Sequence, residues 1–504
     1  MSSAQELAAF KQRIDEVIGT LQACVEDAAH QGRPIHEVER TIWKEVLQLG
    51  HFFLGSFLAL AGDGDLGATL HPDDGPPWQR LPEPHRRRYV SIFGTFDLSR
   101  VVYGSREGQK IDFAPLDNRL QLPAGVYSYV LQDWAQGLCV ESAFGQVQTA
   151  LERLLGLKLS VDGLERMNGQ MAERVEDYRA DRPAPAAATE GEVIVASADG
   201  KGIVMRRPAD DPAPPAHRTK GEKASQKQMA TVASVYTVDR HVRTAAEVVA
   251  ALFRDPRDGP APPRPQPQNK HVWASLTGHG AGGTTSGIDL VHEEIRNELI
   301  ERNRCAGTWV RPLVCLYDGQ GSLWEARQRY LPRAGVGILD FLHVTPRLWQ
   351  AAHLFHPEGS AAAAAFVRQR CLRVLRGEVA GVVQGLRKMG TERGLTGSRK
   401  RALAQLCAYL EKNRERMRYD AYLAAGYPIA SGVIEGACRH LVKDRMERAG
   451  MHWTPAGAQA MLDVRSVHVD GDWDAYQAYR IERETAKLYP HRHLVEGSHY
   501  AMAC

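Results

Sequence analysis

The apolar and polar positions of the first hundred residues follow two different periods. Through residues 4–60, apolar side chains recur at three- and four-residue steps, which predicts a pair of helices broken at 31–34. Residues 89–104 instead alternate around a central Gly-Thr, which predicts a β-hairpin. The arginines at 86–88 can contact phosphates, or they can be a solvated charge run.

From residue 123 to 178 the helical period returns. A glycine-containing break at Leu155-Gly156 separates two helical stretches, and Ser160 is a good N-cap for a second helix beginning near Val161. Two short helices joined in this way suit a helix-turn-helix that lays its second helix in a DNA groove. Many helical hairpins bind nothing, so both interpretations stay open.

Beyond a proline- and alanine-rich linker at 181–190, short apolar runs alternate with helical stretches. Strands are predicted at residues 193–199, 228–240, 270–276, 312–317 and 336–344. Helices are predicted at residues 245–253, 288–302 and 322–330, and further helices continue to residue 423. This order predicts an α/β fold with a mixed sheet and a helical insertion before its last helix.

The same pattern divides the chain into regions, with the main boundary expected in the linker. The first three are an N-terminal helical region (1–62), a β-hairpin module (79–115) and a helix-turn-helix-like region (116–180). The others are the first part of the core (191–345), a basic helical insertion (346–426), a helix that closes the core (427–450) and a C-terminal tail (451–504).

Length and charge add two constraints. The chain has 504 residues, enough for two to four domains, and its 63 Lys and Arg nearly balance its 60 Asp and Glu, so net charge indicates no partner. Residues 361–425, however, hold fourteen Lys or Arg against five Asp or Glu. This local excess favours contact with a polyanion such as DNA, and its alternative is a solvated basic face.

The cysteines and the N-terminal sequence indicate a reduced cytoplasmic protein. None of the eight cysteines stands at the C-x-x-C spacing of a zinc or redox site. The start of the chain lacks the basic-then-apolar order of a signal peptide, and the apolar patch at 52–61 is too short to span a bilayer. We therefore expect a reduced cytoplasmic protein without a membrane span.

Three carboxylates form the candidate catalytic group. Asp199 and Asp318 each follow a short apolar run, which predicts them at strand exits, and Glu435 lies in a stretch with helical spacing. If the strands are neighbours, the three acids can hold a pair of Mg²⁺ ions, or Mn²⁺, because oxygen donors select such hard cations. The alternative is two ordinary Asp-Gly turns and a surface glutamate paired with Arg439.

Basic residues accompany these acids along the chain. Arg439 stands one helical turn after Glu435, on the same predicted face. The candidate contacts to a phosphodiester backbone are Lys201, Arg439, His440, Lys443 and Arg445. Acids suited to a metal and bases suited to a nucleic-acid backbone therefore lie together in the sequence.

At this point the residues carry a family resemblance. The segments concerned are ADGKGIVMRR, QMATVASVYTVDR, CLYDGQGSLW, ILDFLHV and YPIASGVIEGACRHLVKDRMERAGMHWT. They resemble a bacterial insertion-sequence transposase of the ISKra type, a DDE family with an RNase H-like catalytic domain. The similarity runs through most of the chain and is weakest in the proline-rich insertions.

The resemblance implies a role for each acid. By position, Asp199 is similar to the first acid of the DDE triad, Asp318 to the second and Glu435 to the third. Asp340 and His343 match the C/D-x-x-H element that related transposases carry, and residues 361–425 match their helical insertion. Family behaviour then implies Mg²⁺-dependent cutting of double-stranded DNA at the element's terminal repeats, and strand transfer into target DNA by a 3′-hydroxyl within a multimer.

One departure concerns the helix of the last acid. Some DDE transposases place a lysine seven residues after the glutamate, but Val442 stands there and Lys443 follows. If a basic residue assists at this place, Lys443 or Arg439 is the candidate.

Two other functions stay open. One is a DNA-binding protein that keeps the fold without cutting. The other is a dinucleotide-dependent oxidoreductase, because residues 278–283 satisfy G-x-G-x-x-G between a predicted strand and a predicted helix. The spacing from this loop to Asp318 is longer than that motif requires. For His343 and Asp340, a purely structural role in the core is the alternative.

Overall fold

The computed structural model describes residues 3–73, 75–105, 111–207, 227–255, 259, 263–280, 283–305, 308–333, 335–448 and 450–496. The chain forms two compact units, Met1–Arg174 with Trp473–Cys504, and Val175–Asp472. The division falls a few residues before the linker at 181–190. The residues just before the linker contact the second unit: the Arg179 guanidinium donates to Ser466 Oγ at 2.5 Å.

The first unit begins with the expected pair of long helices, and Phe10 of the first packs against Phe52 of the second with ring centroids 6.3 Å apart. Its elements before the second unit are α1 (Ser3–His30), α2 (Ile35–Ala61), β1 (Thr69–Leu70), β2 (Trp78–Arg80), β3 (His85–Ser91), β4 (Gly94–Arg100), β5 (Tyr103–Gly104), α3 (Pro115–Leu120), α4 (Tyr129–Cys139), α5 (Phe144–Leu155) and α6 (Val161–Ala172).

The predicted β-hairpin consists of β3 and β4, but its turn lies at residues 92–93, two residues before the Gly94-Thr95 pair. Gly94 closes the turn with φ 119°, a conformation that favours glycine. The arginine run lies inside β3. Arg87 points inward and bonds Asp117 at 2.6 Å, whereas the arginines on either side of it are exposed.

Helices α5 and α6 meet as the sequence predicts. Gly156 ends α5 in the left-handed conformation with φ 69°, and the Ser160 side chain caps α6 by accepting from Gly163 N at 3.0 Å. Leu131, Leu151 and Leu164, one from each of α4, α5 and α6, are buried together in the core of this helical part.

The second unit contains the large sheet and the helices on both of its faces. Its elements are α7 (Val175–Asp181), β6 (Val193–Val204), β7 (Lys227–Val238), α8 (Ala245–Leu252), β8 (Gln268–Ser275), β9 (Gly278–Gly280), β10 (Gly283–Thr285), α9 (Gly287–Asn303), β11 (Arg304–Cys305), β12 (Thr308–Trp309), β13 (Leu313–Tyr317), α10 (Gly321–Tyr330), β14 (Val336–Leu339), α11 (Phe341–Phe355), α12 (Ala361–Leu375), α13 (Val379–Glu392), α14 (Gly397–Lys412), α15 (Tyr419–Ala424), α16 (Gly432–Ala437), α17 (Asp444–Met446) and α18 (Pro455–Asp470). A π-helical segment, Cys438–Lys443, joins α16 to α17. The last helix, α19 (Trp473–Leu488), belongs to the first unit.

The sheet of the second unit has five strands in the order β14-β13-β6-β7-β8. Strands β6, β7 and β8 pair antiparallel, whereas β13 runs parallel to β6 and β14 parallel to β13. One face packs on α9 and α10, and the other packs on α11 and the helical insertion in one continuous apolar core. The result is a mixed α/β unit, as the alternation of apolar runs predicts.

Two strand boundaries differ from the sequence prediction. Strand β6 does not end at Asp199 but continues to Val204, because the ladder with β7 extends to the pair Val204 and Lys227. Strand β14 ends at Leu339 rather than at residue 344. The Asp340 side chain accepts a hydrogen bond from Leu342 N at 2.8 Å and so starts helix α11 instead.

The described residues of the stretch predicted as a C-terminal tail, 451–496, form regular structure, including helices α18 and α19. Helix α18 lies along the edge strand β8: the Asp470 carboxylate accepts from Val272 N at 2.8 Å, and the Gln459 side chain accepts from Leu276 N at 2.9 Å. These side chains satisfy donors that an edge strand would otherwise expose. The sequence did not indicate this packing, because the contact joins α18 to a strand almost two hundred positions earlier in the chain.

A partly buried acid near this edge, Glu294, whose side chain is 30% exposed, gives a pH-dependent prediction. Burial raises the pKa of Glu294 to about 7, which the charge of Arg179 at 3.8 Å only partly opposes. The folded chain therefore keeps a proton that the unfolded chain releases near its ordinary pKa of 4.5. Stability from this group is present at low pH and is lost as the pH rises from about 4.5 to 7.

Glu294→Gln, which keeps the shape without the charge, is expected to raise the unfolding free energy at pH 8 by on the order of 1–3 kcal/mol. The gain should shrink as the pH falls toward 4.5. Urea unfolding of both proteins between pH 5 and pH 8 measures it, with Glu293→Gln on the exposed side of α9 as the control. A pH-independent effect would show that burial of this carboxylate is not its cause.

Candidate active site

Three aspartates of neighbouring strands lie close together: Asp318 and Asp340 directly follow the ends of β13 and β14, and Asp199 lies inside β6, beyond the last residue that pairs with β13. In the parallel ladder of β13 and β6, Cys315 stands beside Ala196. Three residues further along both strands, the same register places Asp318 beside Asp199. In the ladder of β13 and β14, Tyr317 stands beside Leu339, so the next position places Asp318 beside Asp340. Because adjacent strands lie about 4.8 Å apart, the backbones of these residues are close.

Asp199 is half-buried, and both of its carboxylate oxygens have donors. Gly200 N donates to Oδ1 at 2.7 Å, and the Cys438 thiol donates to Oδ2 at 3.7 Å. The residue lies beyond the last β13 partner of β6, so its β13 side is free of ladder hydrogen bonds. The long β6–β7 ladder therefore holds the backbone while the carboxylate faces the end of β13.

Asp318 follows β13 and begins a tight turn, in which Gln320 N donates to its Oδ1 at 2.8 Å. Burial raises the pKa of the Asp318 carboxyl, and the negative charge of Asp199 raises it further, whereas His343 lowers it. The carboxyls of Asp199 and Asp318 are thus close enough to repel each other. A cation placed between them would relieve this repulsion.

Asp340 links the end of strand β14 to the start of helix α16, which carries Glu435. Only 2% of its surface is exposed. One oxygen caps α11, and the other accepts from Ser431 N at 3.1 Å, next to the start of α16. Burial raises the pKa of Asp340 against the effect of these bonds and of His343, and the charge of Glu435 raises it further. His343 therefore acts electrostatically on both Asp318 and Asp340.

Glu435 lies on α16, which is capped by Ser431 and packs its Ile434 side chain, 4% exposed, into the core. The glutamate side chain itself is exposed. The alternative pairing with Arg439 is not the arrangement observed, because the Arg439 guanidinium lies 3.7 Å from Asp444 instead. The Glu435 carboxylate lies within electrostatic reach of Asp340.

The five basic candidates differ in their surroundings. Lys443 is exposed, Lys201 lies 3.6 Å from Glu447, and His440, also exposed, lies 3.1 Å from Asp444. Arg445 is completely buried, with its guanidinium 5.1 Å from the centre of the Trp453 ring. It supports the fold and does not present its charge to a nucleic acid.

The donor set suits a hard cation such as Mg²⁺ or Mn²⁺, because it consists of carboxylate oxygens whose charges oppose one another. Within the described ranges, however, no group of three or more His, Cys, Asp or Glu side chains stands at distances that would hold a metal ion.

Two residues of this site were missed in the sequence. Cys438 stands three residues after Glu435. On a helix this spacing makes the two side chains neighbours, so the sequence contains a signal for Cys438. Tyr409 of the helical insertion reaches the Asp318 turn, where a Cβ on Gly319 would lie 2.5 Å from its ring. No local signal connects residues ninety positions apart.

The topology of the sheet does not fit a dinucleotide-binding unit. Strand β8, before the glycine-rich loop, is an antiparallel edge strand and is not adjacent to β13. The glycines form the short hairpin β9–β10 instead of opening a helix. A dinucleotide-binding unit requires two adjacent parallel strands joined by a helix that starts at the loop.

Comparisons with known proteins add little. No family model matches the sequence, and no curated protein matches it. Among solved structures, a chain of the Drosophila P element transposase strand transfer complex is similar at 10% identity and a TM-score of 0.24, over 74% of this chain and 88% of that one. Similarity this low assigns neither fold nor function. Across the described part of the chain, no helix is long and apolar enough to cross a membrane.

Proposed function

We propose that the chain is a DDE-type DNA transposase of the ISKra kind, which cuts phosphodiester bonds at the ends of an insertion sequence and joins them to target DNA. Asp199, Asp318 and Glu435 are its metal ligands. The observation that carries the proposal is the strand register, which brings Asp318 beside Asp199 from positions 119 residues apart in the chain. A pair of unrelated Asp-Gly turns would not be expected to meet in this way.

The topology supports an RNase H-like catalytic core. Three antiparallel strands come first in the chain, and two parallel strands then add on the side of the first strand. This arrangement places the carboxyl ends of β13 and β14 at the same end of the sheet as Asp199. The helix of the last acid follows the helical insertion and packs beside that end, held by Asp340.

The roles of the residues follow from their chemistry. Mg²⁺ ions held by the three carboxylates would activate a water or a 3′-hydroxyl and stabilise the leaving oxygen. Asp340 holds the helix of Glu435 in place, and His343 moderates the charge of Asp318. Lys443, exposed on the same helical segment, is positioned to contact a phosphate.

The DNA surface is proposed to include the basic insertion. Much of its charge is solvent-accessible: residues 399–401, which read Arg-Lys-Arg at the start of α14, are all exposed. The helix-turn-helix of α5 and α6 is the candidate for reading the terminal repeats of double-stranded DNA. Cutting two element ends and joining them requires at least two copies of the catalytic group, so a dimer or higher multimer is proposed.

The test uses labelled duplexes that tile the DNA flanking the coding sequence, incubated with purified protein and Mg²⁺. The expected result is cutting at defined positions that leaves 3′-hydroxyl ends, and no cutting in EDTA. Specific retardation of a duplex without cutting in Mg²⁺ or Mn²⁺ would instead assign the chain as a DNA-binding protein. Absence of both would remove DNA as the partner.

A further inference from the structure

The thiol of Cys438 occupies an unusual place in this structure. The residue follows the last residue of α16 and begins the π-helical segment Cys438–Lys443. Its backbone N–H bonds the carbonyls of Ile434 and Glu435, so it is tied to the helix that carries the third acid. π-Helical segments occur in proteins mostly as single turns, and frequently at functional sites.

The side chain of Cys438 faces the sheet rather than solvent. Only 7% of the residue is exposed, and its Sγ lies 3.7 Å from Asp199 Oδ2. At this distance the S–H group is a weak donor to a carboxylate oxygen. Gly200 N holds the other oxygen at 2.7 Å, so the carboxylate of Asp199 is restrained at both ends.

We propose that Cys438 is a positioning residue of the metal site: its S–H donates to Asp199 Oδ2 and fixes the carboxylate of strand β6 against the helix of Glu435. The inference rests on the proposed function of the acids. A donor that orients a metal-ligating carboxylate is commonly worth 10- to 100-fold in metal affinity or activity.

The experiment compares three variants of the full chain. Cys438→Ser keeps a donor of similar size, and Cys438→Ala removes it. Cys371→Ala removes a thiol from α12 that is also buried, inside the helical core, and whose pKa is raised by burial with no contribution from a neighbouring acid. Thermal unfolding of each variant shows that it is folded.

The first measurement is Mn²⁺ affinity, obtained by electron paramagnetic resonance titration without DNA. Cys438→Ala should weaken Mn²⁺ binding by about 10- to 100-fold, whereas Cys438→Ser and Cys371→Ala should stay within about threefold of the parent. Equal loss in Cys438→Ser and Cys438→Ala, or no loss in Cys438→Ala, overturns the proposal.

The second measurement separates this inference from the proposed function. In the cleavage assay, Cys438→Ala should raise the Mg²⁺ concentration for half-maximal rate while leaving DNA affinity unchanged. Recovery of the rate at high Mg²⁺ supports a positioning role, and a rate that stays low at saturating Mg²⁺ contradicts it. If the parent binds Mn²⁺ without cutting DNA, the transposase proposal fails, but the Mn²⁺ affinities still decide the role of the thiol.

Discussion

Asp318→Asn is expected to reduce the rate of DNA cleavage by at least about 10³-fold, which corresponds to roughly 4 kcal/mol of transition-state stabilisation. The amide has nearly the same shape as the carboxyl but binds Mg²⁺ poorly. Burial and the charge of Asp199 already raise the pKa of Asp318 and so disfavour its ionised form. Replacing the carboxyl by an amide should therefore not destabilise the fold. DNA affinity should be unchanged or slightly higher, since a negative charge is lost near the phosphates.

Single-turnover cleavage and gel retardation of the same duplex measure these two effects separately. Asp239→Asn is the matched control, because Asp239 also follows a strand of the sheet, β7, but is exposed and lies outside the row of acids. Cleavage by Asp318→Asn at the rate of the control would show that the row of aspartates is structural.

Arg302→Met is expected to have the largest effect on stability. Its guanidinium forms two parallel hydrogen bonds to Glu190, at 3.0 and 3.1 Å, and both side chains are only 2% exposed. It also bonds Glu298 at 3.1 Å. Removing the arginine leaves a buried carboxylate without its cation, which costs about 3–5 kcal/mol.

Arg387→Met provides the comparison, because Arg387 also donates two hydrogen bonds to one carboxylate, that of Glu411, but at the surface, where the side chains are 56% and 47% exposed. Because solvent screens this exposed pair, its loss should be much smaller than the loss in Arg302→Met. Urea unfolding followed by fluorescence gives both values. Adding Glu190→Gln to Arg302→Met should recover part of the loss, and equal losses in the two single variants would contradict the account.

Much of the sheet could be predicted because its strands are short apolar runs bounded by turn residues. Strands β7, β8 and β13 and helices α9 and α10 begin and end within about two residues of their predicted bounds. Strand β6 was predicted too short, because Asp199-Gly200 reads as a turn and the residues that pair with the extension, 227–231, lie 23 to 31 positions further along the chain. Local pattern cannot indicate how far a ladder continues.

The three acids are candidates proposed from the sequence, which does not determine how they are arranged in space. Nothing in the sequence states that β13 pairs with β6 in the register that puts Asp318 beside Asp199. The same limit hid Tyr409, whose contact with the Asp318 turn depends on the packing of the insertion. Cys438 was within reach of the spacing rule and was overlooked because a single cysteine carries no motif.

Asp199, Asp318 and Glu435 are proposed to share one metal site. Iron(II) in place of Mg²⁺, with ascorbate and peroxide, releases hydroxyl radicals that cut the polypeptide next to the bound ion. If they do, the polypeptide should be cut close to all three of residues 199, 318 and 435. Excess Mg²⁺ should suppress these cuts, and Asp318→Asn should abolish them. Cuts near only one of these positions, or at none of them, would contradict a shared site.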